Sequence, residues 1–265
     1  MITIGNPKNP SLVFLHGFLG SGKSWHDIAQ TFSENYFCIL PDLIGHGENT
    51  NHDINSPLNF DVLIEWLARL LDKIPAPKIH LVGYSLGGRV ALHFATHYPE
   101  RVHSLVLESA SPGIVDEDER AKRLAEDSAR AESILKDGMS AFVEKWYQMS
   151  LFASLNNHPE TLSPIKDAAK QNDPRWMAKA VVELSPGLQT PLWDSLSIFS
   201  FPVLLVAGEK DEKYVQVIRK MAGMISNSQS VIVTEVGHNT HAEQPETYIS
   251  LLKDFLSRDR HPHEK

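Results

Sequence analysis

Short apolar runs recur along the chain, and their spacing is the feature that most constrains its fold. The runs are Leu12–Leu15, Phe37–Leu40, Ile79–Val82, Ser104–Leu107, Val203–Ala207 and Val231–Val233. Runs of this length without polar alternation are typical of strands that are buried on both faces. Segments with helical periodicity, such as Phe60–Leu71 and Leu86–His97, separate several of them. This alternation predicts an α/β fold, in which a mostly parallel sheet is flanked by helices.

The strand-like runs stop between the fourth and fifth of these runs, where the sequence becomes helical and highly charged. The change begins near Pro112 and ends near Ser195. We therefore predict a helical cap over residues 112–195, inserted into a core made of residues 1–111 and 196–265. Ligands of open α/β sheets bind at the carboxyl edge of the strands, so the cap is expected to cover that edge.

Composition narrows the range of partners. The formal net charge is −8 and no long Lys/Arg run is present, which argues against nucleic acid and anionic membranes as partners. No stretch approaches the ~18 apolar residues of a spanning helix, so we expect no membrane insertion and a cytoplasmic address.

Cys38 is the single cysteine and is expected to be a packing residue. The histidines of the polar tail, 258–265, lack ligand-like companions, so no metal is expected. A monomer is favoured.

Two catalytic motifs compete for the chain. The first, Gly83–Gly87 (GYSLG), directly follows the run Ile79–Val82 and precedes a helical segment. This G-x-S-x-G context is that of the nucleophile elbow of α/β-hydrolases. Its glycines permit the tight turn that aims Ser85 Oγ at the edge of the sheet.

The second motif is Gly17–Ser24 (GFLGSGKS), which matches the phosphate-loop pattern after a strand. In a nucleotide-binding protein, backbone amides of this loop hold phosphates, Lys23 reaches the terminal phosphates and Ser24 binds magnesium. Asp42 is the acidic residue available for the magnesium. No base-recognition or arginine-finger element accompanies it, so this remains a remote alternative.

A serine nucleophile of this fold also requires an acidic residue and then a histidine after late strands, and the sequence contains both in that order. Asp211 follows the late run Val203–Ala207, and His238 follows the last run. The order Ser, Asp, His is that of α/β-hydrolase triads. The same interpretation assigns the oxyanion hole to the backbone amides of Phe18 and Leu86.

Arg89 is the best guide to the substrate. It lies four residues after Ser85 on the predicted helix, so a permanent positive charge is expected beside the reacting hydroxyl. This predicts an anionic substrate, unless the arginine is paired with a carboxylate in the core. Arg120 and Arg123 lie three apart and project together, but neighbouring acidic residues also fit a solvated, salt-bridged helix.

Aromatic residues of the predicted cap have two possible uses. Trp146, Tyr147 and Phe152 either line an apolar pocket wall or pack the cap against the core.

Together these motifs resemble those of one enzyme family over nearly the whole chain. The resemblance rests on Gly83–Arg89 (GYSLGGR), Ser111–Ile114 (SPGI), Arg120–Arg123 (RAKR), Trp146–Gln148 (WYQ), Phe152–Leu155 (FASL), Gly208–Asp211 (GEKD) and Gly237–His241 (GHNTH). The family is that of 2-succinyl-6-hydroxy-2,4-cyclohexadiene-1-carboxylate synthase, or MenH, of menaquinone and phylloquinone biosynthesis.

The resemblance implies a lyase that needs no cofactor. Its substrate would be 2-succinyl-5-enolpyruvyl-6-hydroxy-3-cyclohexene-1-carboxylate, a small tricarboxylate from which pyruvate is eliminated, with the Ser-His-Asp triad acting as a general base. By resemblance, Arg89, Arg120 and Arg123 match carboxylate-binding arginines, and Tyr84 adds a hydrogen bond. Lys170 stands where the family carries arginine, and a lysine keeps the charge but lacks the bidentate fork.

Alternatives of other kinds remain. Within the same fold, a carboxylesterase or carbon-carbon bond hydrolase would use Ser85, or a water that it activates, to attack a carbonyl. A catalytically idle receptor would bind small molecules without turnover, but the intact triad argues against it.

Overall fold

A single sheet organises the described residues, which in this computed structural model are 1–74 and 76–258. The strands are β1 (Ile2–Ile4), β2 (Ser11–Leu15), β3 (Phe37–Leu40), β4 (Ile79–Tyr84), β5 (Val102–Glu108), β6 (Val203–Gly208) and β7 (Ser228–Val233). Their order across the sheet is β1-β3-β2-β4-β5-β6-β7, and all neighbours are parallel except β1 and β3. The tail histidines, for which no metal site is expected, lie outside the described residues.

Helices cover both faces of this sheet. They are α1 (His26–Gln30), α2 (Phe60–Leu71), α3 (Leu86–His97), α4 (Glu117–Tyr147), α5 (Pro159–Ala169), α6 (Pro174–Glu183), α7 (Glu212–Ala222), α8 (Thr240–Glu243) and α9 (Pro245–Arg258). Successive side chains of a strand point to opposite faces of the sheet, so one strand can pack against the helices on both sides. In β2, Leu12 and Phe14 belong to the apolar cluster of α1 and α9, whereas Val13 and Leu15 belong to that of α2 and α3.

The predicted α/β-hydrolase architecture is confirmed, with one addition and one correction. The addition is β1, whose three residues are too short to stand out as a sequence pattern. The correction concerns Val231–Val233, which was predicted to be buried on both faces. This segment belongs to the edge strand β7, where only Val233 is buried, because β7 has a neighbour on one side only.

The helical insertion, defined here as the segment that contains α4, α5 and α6, lies between β5 and β6 as the sequence predicted. Helix α4 begins with Asp116 as its N-cap, whose side chain accepts a hydrogen bond from Glu119 N. Gly138 divides α4 with φ 79° and ψ 166°, a region open only to glycine. The division of the chain into domains at residues 112 and 195 stays a prediction.

Within residues 1–74 and 76–258, no helix combines the length and the hydropathy required to cross a bilayer.

Candidate active site

The turn between β4 and α3 carries Ser85 in a strained conformation. Ser85 has φ 51° and ψ −109°, which is rare for a residue with a side chain. The neighbouring glycines are required because the backbone approaches closely: a Cβ on Gly83 would lie 2.6 Å from Gly87 O, and one on Gly87 would collide with Leu15 O. This strand-turn-helix geometry is the nucleophile elbow of the fold.

Three side chains that are distant in sequence form one hydrogen-bonded line at this elbow. His238 Nδ1 lies 2.6 Å from Asp211 Oδ2, and His238 Nε2 lies 3.1 Å from Ser85 Oγ. Asp211 is itself held as the N-cap of α7, since its Oδ1 accepts from Tyr214 N at 3.4 Å. A carboxylate on Nδ1 keeps the proton there, so Nε2 is free to accept the proton of the serine hydroxyl.

Two backbone amides of cavity-lining residues have no acceptor of their own. In the described part of the chain, neither Phe18 N nor Leu86 N donates a hydrogen bond, and both residues line the cavity beside Ser85. His16 fixes the first of them: its Nε2 accepts from Leu43 N at 3.0 Å, and its Nδ1 donates to Gly17 O at 2.8 Å. Both amides are therefore free for the predicted oxyanion hole, which stays a prediction.

A cavity of about 840 Å³ opens above the serine, between the sheet edge and the helical insertion. Trp146, Tyr147 and Phe152 of the insertion line it, together with Tyr84 and Tyr214 of the core. Burial raises the pKa of each of these three tyrosines, so their hydroxyls stay protonated and can donate hydrogen bonds. The cavity is thus large, partly aromatic and supplied with donors.

Arg89 brings an unpaired positive charge to the cavity wall. Its Nη1 donates to Leu184 O at 2.8 Å and to Gln189 Oε1 at 3.4 Å, and its guanidinium lies 5.3 Å from the centre of the Phe60 ring. No carboxylate of the described residues forms an ion pair with it. The alternative of a core ion pair is therefore wrong. Burial, reinforced by the charge of Arg123, lowers the pKa of Arg89 to about 10, which leaves it charged at neutral pH.

Known proteins that are similar to this chain share its fold. The family model of the alpha/beta hydrolase fold matches residues 10–245. A 2-succinyl-6-hydroxy-2,4-cyclohexadiene-1-carboxylate synthase of Serratia proteamaculans (strain 568) is 32% identical over 254 residues, which cover 95% of each chain. A Bacillus subtilis (strain 168) protein that bears this name provisionally is 35% identical over 259 residues, covering 96% of this chain and 92% of its own.

Among solved structures, MenH from S. aureus superimposes with a TM-score of 0.94 at 36% identity and covers 98% of both chains. The chain belongs to the MenH family of α/β-hydrolases. The resemblance of its motifs to that family is thereby confirmed.

The resemblance to the MenH family predicted that Arg123 binds a substrate carboxylate. This residue lines the cavity. Its Nε donates to Asp127 Oδ2 at 2.8 Å. Asp127 is fully buried and is shared with Arg130, which also pairs with it. Arg130 is paired with Glu126 as well, so this cluster of two arginines and two carboxylates is formally neutral, and Arg123 is its cation on the cavity wall.

The structure does not bring the other two cations of the MenH motifs to the cavity wall. Arg120 Nε donates to Gly187 O at 3.0 Å, in the turn that follows α6. Lys170 Nζ lies 2.9 Å from Glu144 Oε1 and is also paired with Asp167. Neither residue lines the cavity. Spacing alone did not reveal this, because Arg120 and Arg123 point to different partners although they lie on one helix.

The phosphate-loop alternative fails on the hydrogen bonds of its own loop. Gly22 N donates to Asp42 Oδ1 at 2.7 Å, and Ser24 N donates to Ser21 O at 3.0 Å. A carboxylate of the chain thus occupies the position of an anion, while the proposed phosphate ligand Lys23 is exposed and pairs with a glutamate. The helical turn that follows spans four residues and is of the 3-10 type. These amides are not available to hold a phosphate.

Sequence reasoning missed a second buried imidazole–carboxylate pair next to the triad. Glu108, the last residue of β5, is fully buried and accepts from His241 N at 3.0 Å and from His241 Nδ1 at 2.7 Å. The imidazole of His241 lines the cavity. Two sequence signals were present: an acidic residue ends an apolar strand beside the elbow, and a histidine follows His238 by three positions.

Proposed function

We propose that this MenH-family chain eliminates pyruvate from 2-succinyl-5-enolpyruvyl-6-hydroxy-3-cyclohexene-1-carboxylate to give 2-succinyl-6-hydroxy-2,4-cyclohexadiene-1-carboxylate, in menaquinone or phylloquinone biosynthesis. One observation carries the proposal: a guanidinium without a counter-ion, that of Arg89, lines the cavity into which the Ser85 hydroxyl opens. An ester with no charge gives no reason to keep an unpaired arginine there, whereas a polycarboxylate does. Family membership supports the same substrate.

The cavity wall supplies the binding groups for such a substrate. Arg89 presents the part of its fork that does not contact Leu184 O or Gln189, and Arg123 presents the part not held by Asp127. We assign a substrate carboxylate to each arginine. The aromatic wall of Trp146, Tyr147 and Phe152 packs against the ring carbons and excludes water, which strengthens these ionic contacts.

In the first step, Ser85 acts as a base on carbon. His238 takes the hydroxyl proton at Nε2 while Asp211 holds Nδ1, and the resulting serine oxyanion removes the acidic ring proton beside the succinyl ketone. The electron pair of the broken C–H bond moves into the ketone, whose oxygen becomes an enolate. Nothing is oxidised or reduced, and no acyl-enzyme forms.

In the second step, the enolate collapses and expels the leaving group. The amides of Phe18 and Leu86 hold the enolate oxygen, and a hydroxyl of Tyr84 is available as a further donor. As the ketone re-forms, the existing ring double bond shifts, two conjugated ring double bonds take its place, and the C–O bond to enolpyruvate breaks. Ser85 keeps the ring proton as its hydroxyl, and the proton on His238 passes to the departing enolpyruvate, which becomes pyruvate when it is protonated at carbon. In a protease, loss of one oxyanion donor costs about 2.7–4 kcal/mol.

The test is direct formation of pyruvate from the enolpyruvyl substrate by the purified chain. Wild-type protein is expected to release one pyruvate for each substrate consumed. Ser85→Ala is expected to lower kcat by at least about 10²–10⁴-fold, the usual contribution of a positioned base. The matched control is Ser200→Ala, which removes an exposed hydroxyl outside the cavity and is expected to leave the rate unchanged.

Two results would overturn the proposal. Pyruvate release by Ser85→Ala at a near wild-type rate would remove Ser85 from the reaction. Failure of the wild type to release pyruvate, together with a burst of alcohol from simple esters, would indicate the carboxylesterase chemistry of the same fold.

The address and assembly of the chain also stay proposals. We propose a cytoplasmic, monomeric enzyme, as its sequence suggested. Cell fractionation tests the first and size-exclusion chromatography with light scattering tests the second.

A further inference from the structure

Beside the triad, the cavity holds a second imidazole whose orientation is fixed. Glu108 binds both the backbone N and the ring Nδ1 of His241, at 3.0 Å and 2.7 Å. A ring held at Nδ1 by a carboxylate has one remaining polar atom, Nε2. In the described part of the chain Nε2 has no partner, and it is not among the side-chain nitrogens sealed from solvent. It is therefore open to the cavity.

Aromatic side chains pack against this ring and limit the directions from which a ligand can approach it. The indole of Trp25 stacks on it with ring centres 4.0 Å apart and planes within 24°. The ring of Tyr84 meets it edge-on at 4.9 Å. A stacked indole favours a positively charged ring through its negative face. The imidazole is thus rigidly placed and suited to carry a charge.

Charge balance around the pair points the same way. Glu108 is fully buried, and no Lys or Arg of the described residues pairs with it. A buried carboxylate without partners is costly, and the two hydrogen bonds from His241 stabilise Glu108. The remaining polar atom of the ring, Nε2, then faces the cavity.

The proposed substrate calls for one more cation than the arginines provide. Three carboxylates must be held, and Arg89 and Arg123 are the arginines on the cavity wall, where the one lysine of the described residues, Lys23, is exposed and already paired with Glu48. Arg120 and Lys170, which the family motifs suggested for this task, are engaged with Gly187 and Glu144 elsewhere.

We propose that His241 is the third carboxylate-binding residue: as an imidazolium balanced by Glu108, it donates Nε2–H to the substrate carboxylate that Arg89 and Arg123 do not hold. This inference rests on the proposed function, since it assumes the tricarboxylate substrate. It gives Glu108 the task of a positioning residue and Trp25 that of a platform. His241 takes no part in the proton transfer of the triad.

The decisive variant is His241→Asn, because the asparagine amide can still donate to Glu108 but no longer reaches the cavity. We expect KM for the enolpyruvyl substrate to rise by about tenfold to a hundredfold, as for the loss of one charge-assisted hydrogen bond. We expect kcat to change by less than about threefold, since binding is removed equally from ground and transition states. The matched control is His26→Asn, which removes a half-exposed imidazole outside the cavity and is expected to change neither constant.

A measurement without this substitution covers the case in which the variant does not fold. The Ser85→Ala chain, labelled with 15N-histidine, is titrated with the substrate, which it binds but does not convert. We expect the Nε2–H signal of the ring that contacts Trp25 to shift with saturation. An unshifted signal, or a folded His241→Asn variant with unchanged KM or with a loss confined to kcat, would overturn the inference. Such results with an active wild type leave the proposed function standing, whereas a wild type that releases no pyruvate rejects that function itself.

Discussion

Two histidines that follow the last strand, His238 and His241, are bound in nearly the same way and face different surroundings. Each places Nδ1 against a buried carboxylate, at 2.6 Å from Asp211 and at 2.7 Å from Glu108. Nε2 of His238 meets the Ser85 hydroxyl at 3.1 Å, whereas Nε2 of His241 meets the open cavity. The carboxylate therefore sets the direction of each ring, and the group opposite Nε2 decides what the ring can do.

The two carboxylates are anchored differently, and this separates their effects. Asp211 caps helix α7 through Tyr214 N, so its position depends on a helix that is independent of the histidine. Glu108 gives its second oxygen to the backbone N of His241 itself. The first pair is thus built from two separate elements, and the second is a closed unit that ties α8 to the end of β5. Substitutions in the first pair should affect chemistry most, and those in the second should affect binding and stability.

The largest effect is expected for Asp211→Asn. An asparagine amide donates toward Nδ1 and thereby favours the tautomer with the proton on Nε2, which cannot accept the proton of Ser85. We expect kcat for pyruvate release to fall by about 10³–10⁴-fold, as in proteases with the same change. KM is expected to stay within about threefold, because Asp211 does not line the cavity.

The control for this variant is Asp194→Asn, which changes an exposed carboxylate outside the cavity. A large rise in KM with unchanged kcat would contradict the comparison, because it would give Asp211 the behaviour expected of the second pair.

A second effect concerns His16 and His46, two buried imidazoles that no carboxylate holds by a hydrogen bond. Burial lowers the pKa of His16 to about 4, against weaker raising contributions from Gly17 O and Asp42. Burial, reinforced by His16, lowers the pKa of His46 to about 3. The unfolded chain binds protons at these sites from about pH 6.5 downward, and the folded chain does not, so stability is lost as the pH falls from 6.5 toward 4.

Each of these rings should remove about 2–3 kcal/mol of unfolding free energy between pH 7 and pH 4.5. Urea unfolding at the two pH values measures the loss. His46→Gln is expected to reduce the difference between them by about that amount for one ring, whatever its effect at pH 7. An unchanged difference would show that His46 is not a neutral, sealed ring, and the contrast with the two carboxylate-held histidines would disappear.

Much of this architecture could be predicted because the deciding signals are local. The elbow is written in consecutive residues, Gly83–Gly87, and the helices Phe60–Leu71 and Leu86–His97 have the bounds that their periodicity predicts. Asp211 and His238 could be placed beside Ser85 because each follows a strand of a parallel sheet. The carboxyl ends of such strands lie at one edge of the sheet.

What could not be predicted depends on how distant elements are turned toward each other. Arg120 and Arg123 lie three apart on α4, yet one contacts the turn after α6 and the other contacts Asp127. Helical spacing gives relative directions, and only packing gives the direction of the cavity. Glu108 and His241 are 133 residues apart, and an acidic residue at a strand end does not reveal its partner.

The smallest effect is expected for Glu108→Gln, and it sharpens the contrast between the two pairs. The amide oxygen still accepts from His241 N, while the amide N–H favours a neutral ring with its proton on Nε2. The donor toward the cavity is kept and its charge is lost, so KM should rise only about three- to tenfold, with kcat nearly unchanged. The weaker buried contact should lower the unfolding free energy by about 1–3 kcal/mol. Kinetics and thermal melts beside the exposed control Glu34→Gln measure both effects. A loss of kcat as large as that of Asp211→Asn would mean that the two imidazole–carboxylate pairs share one task.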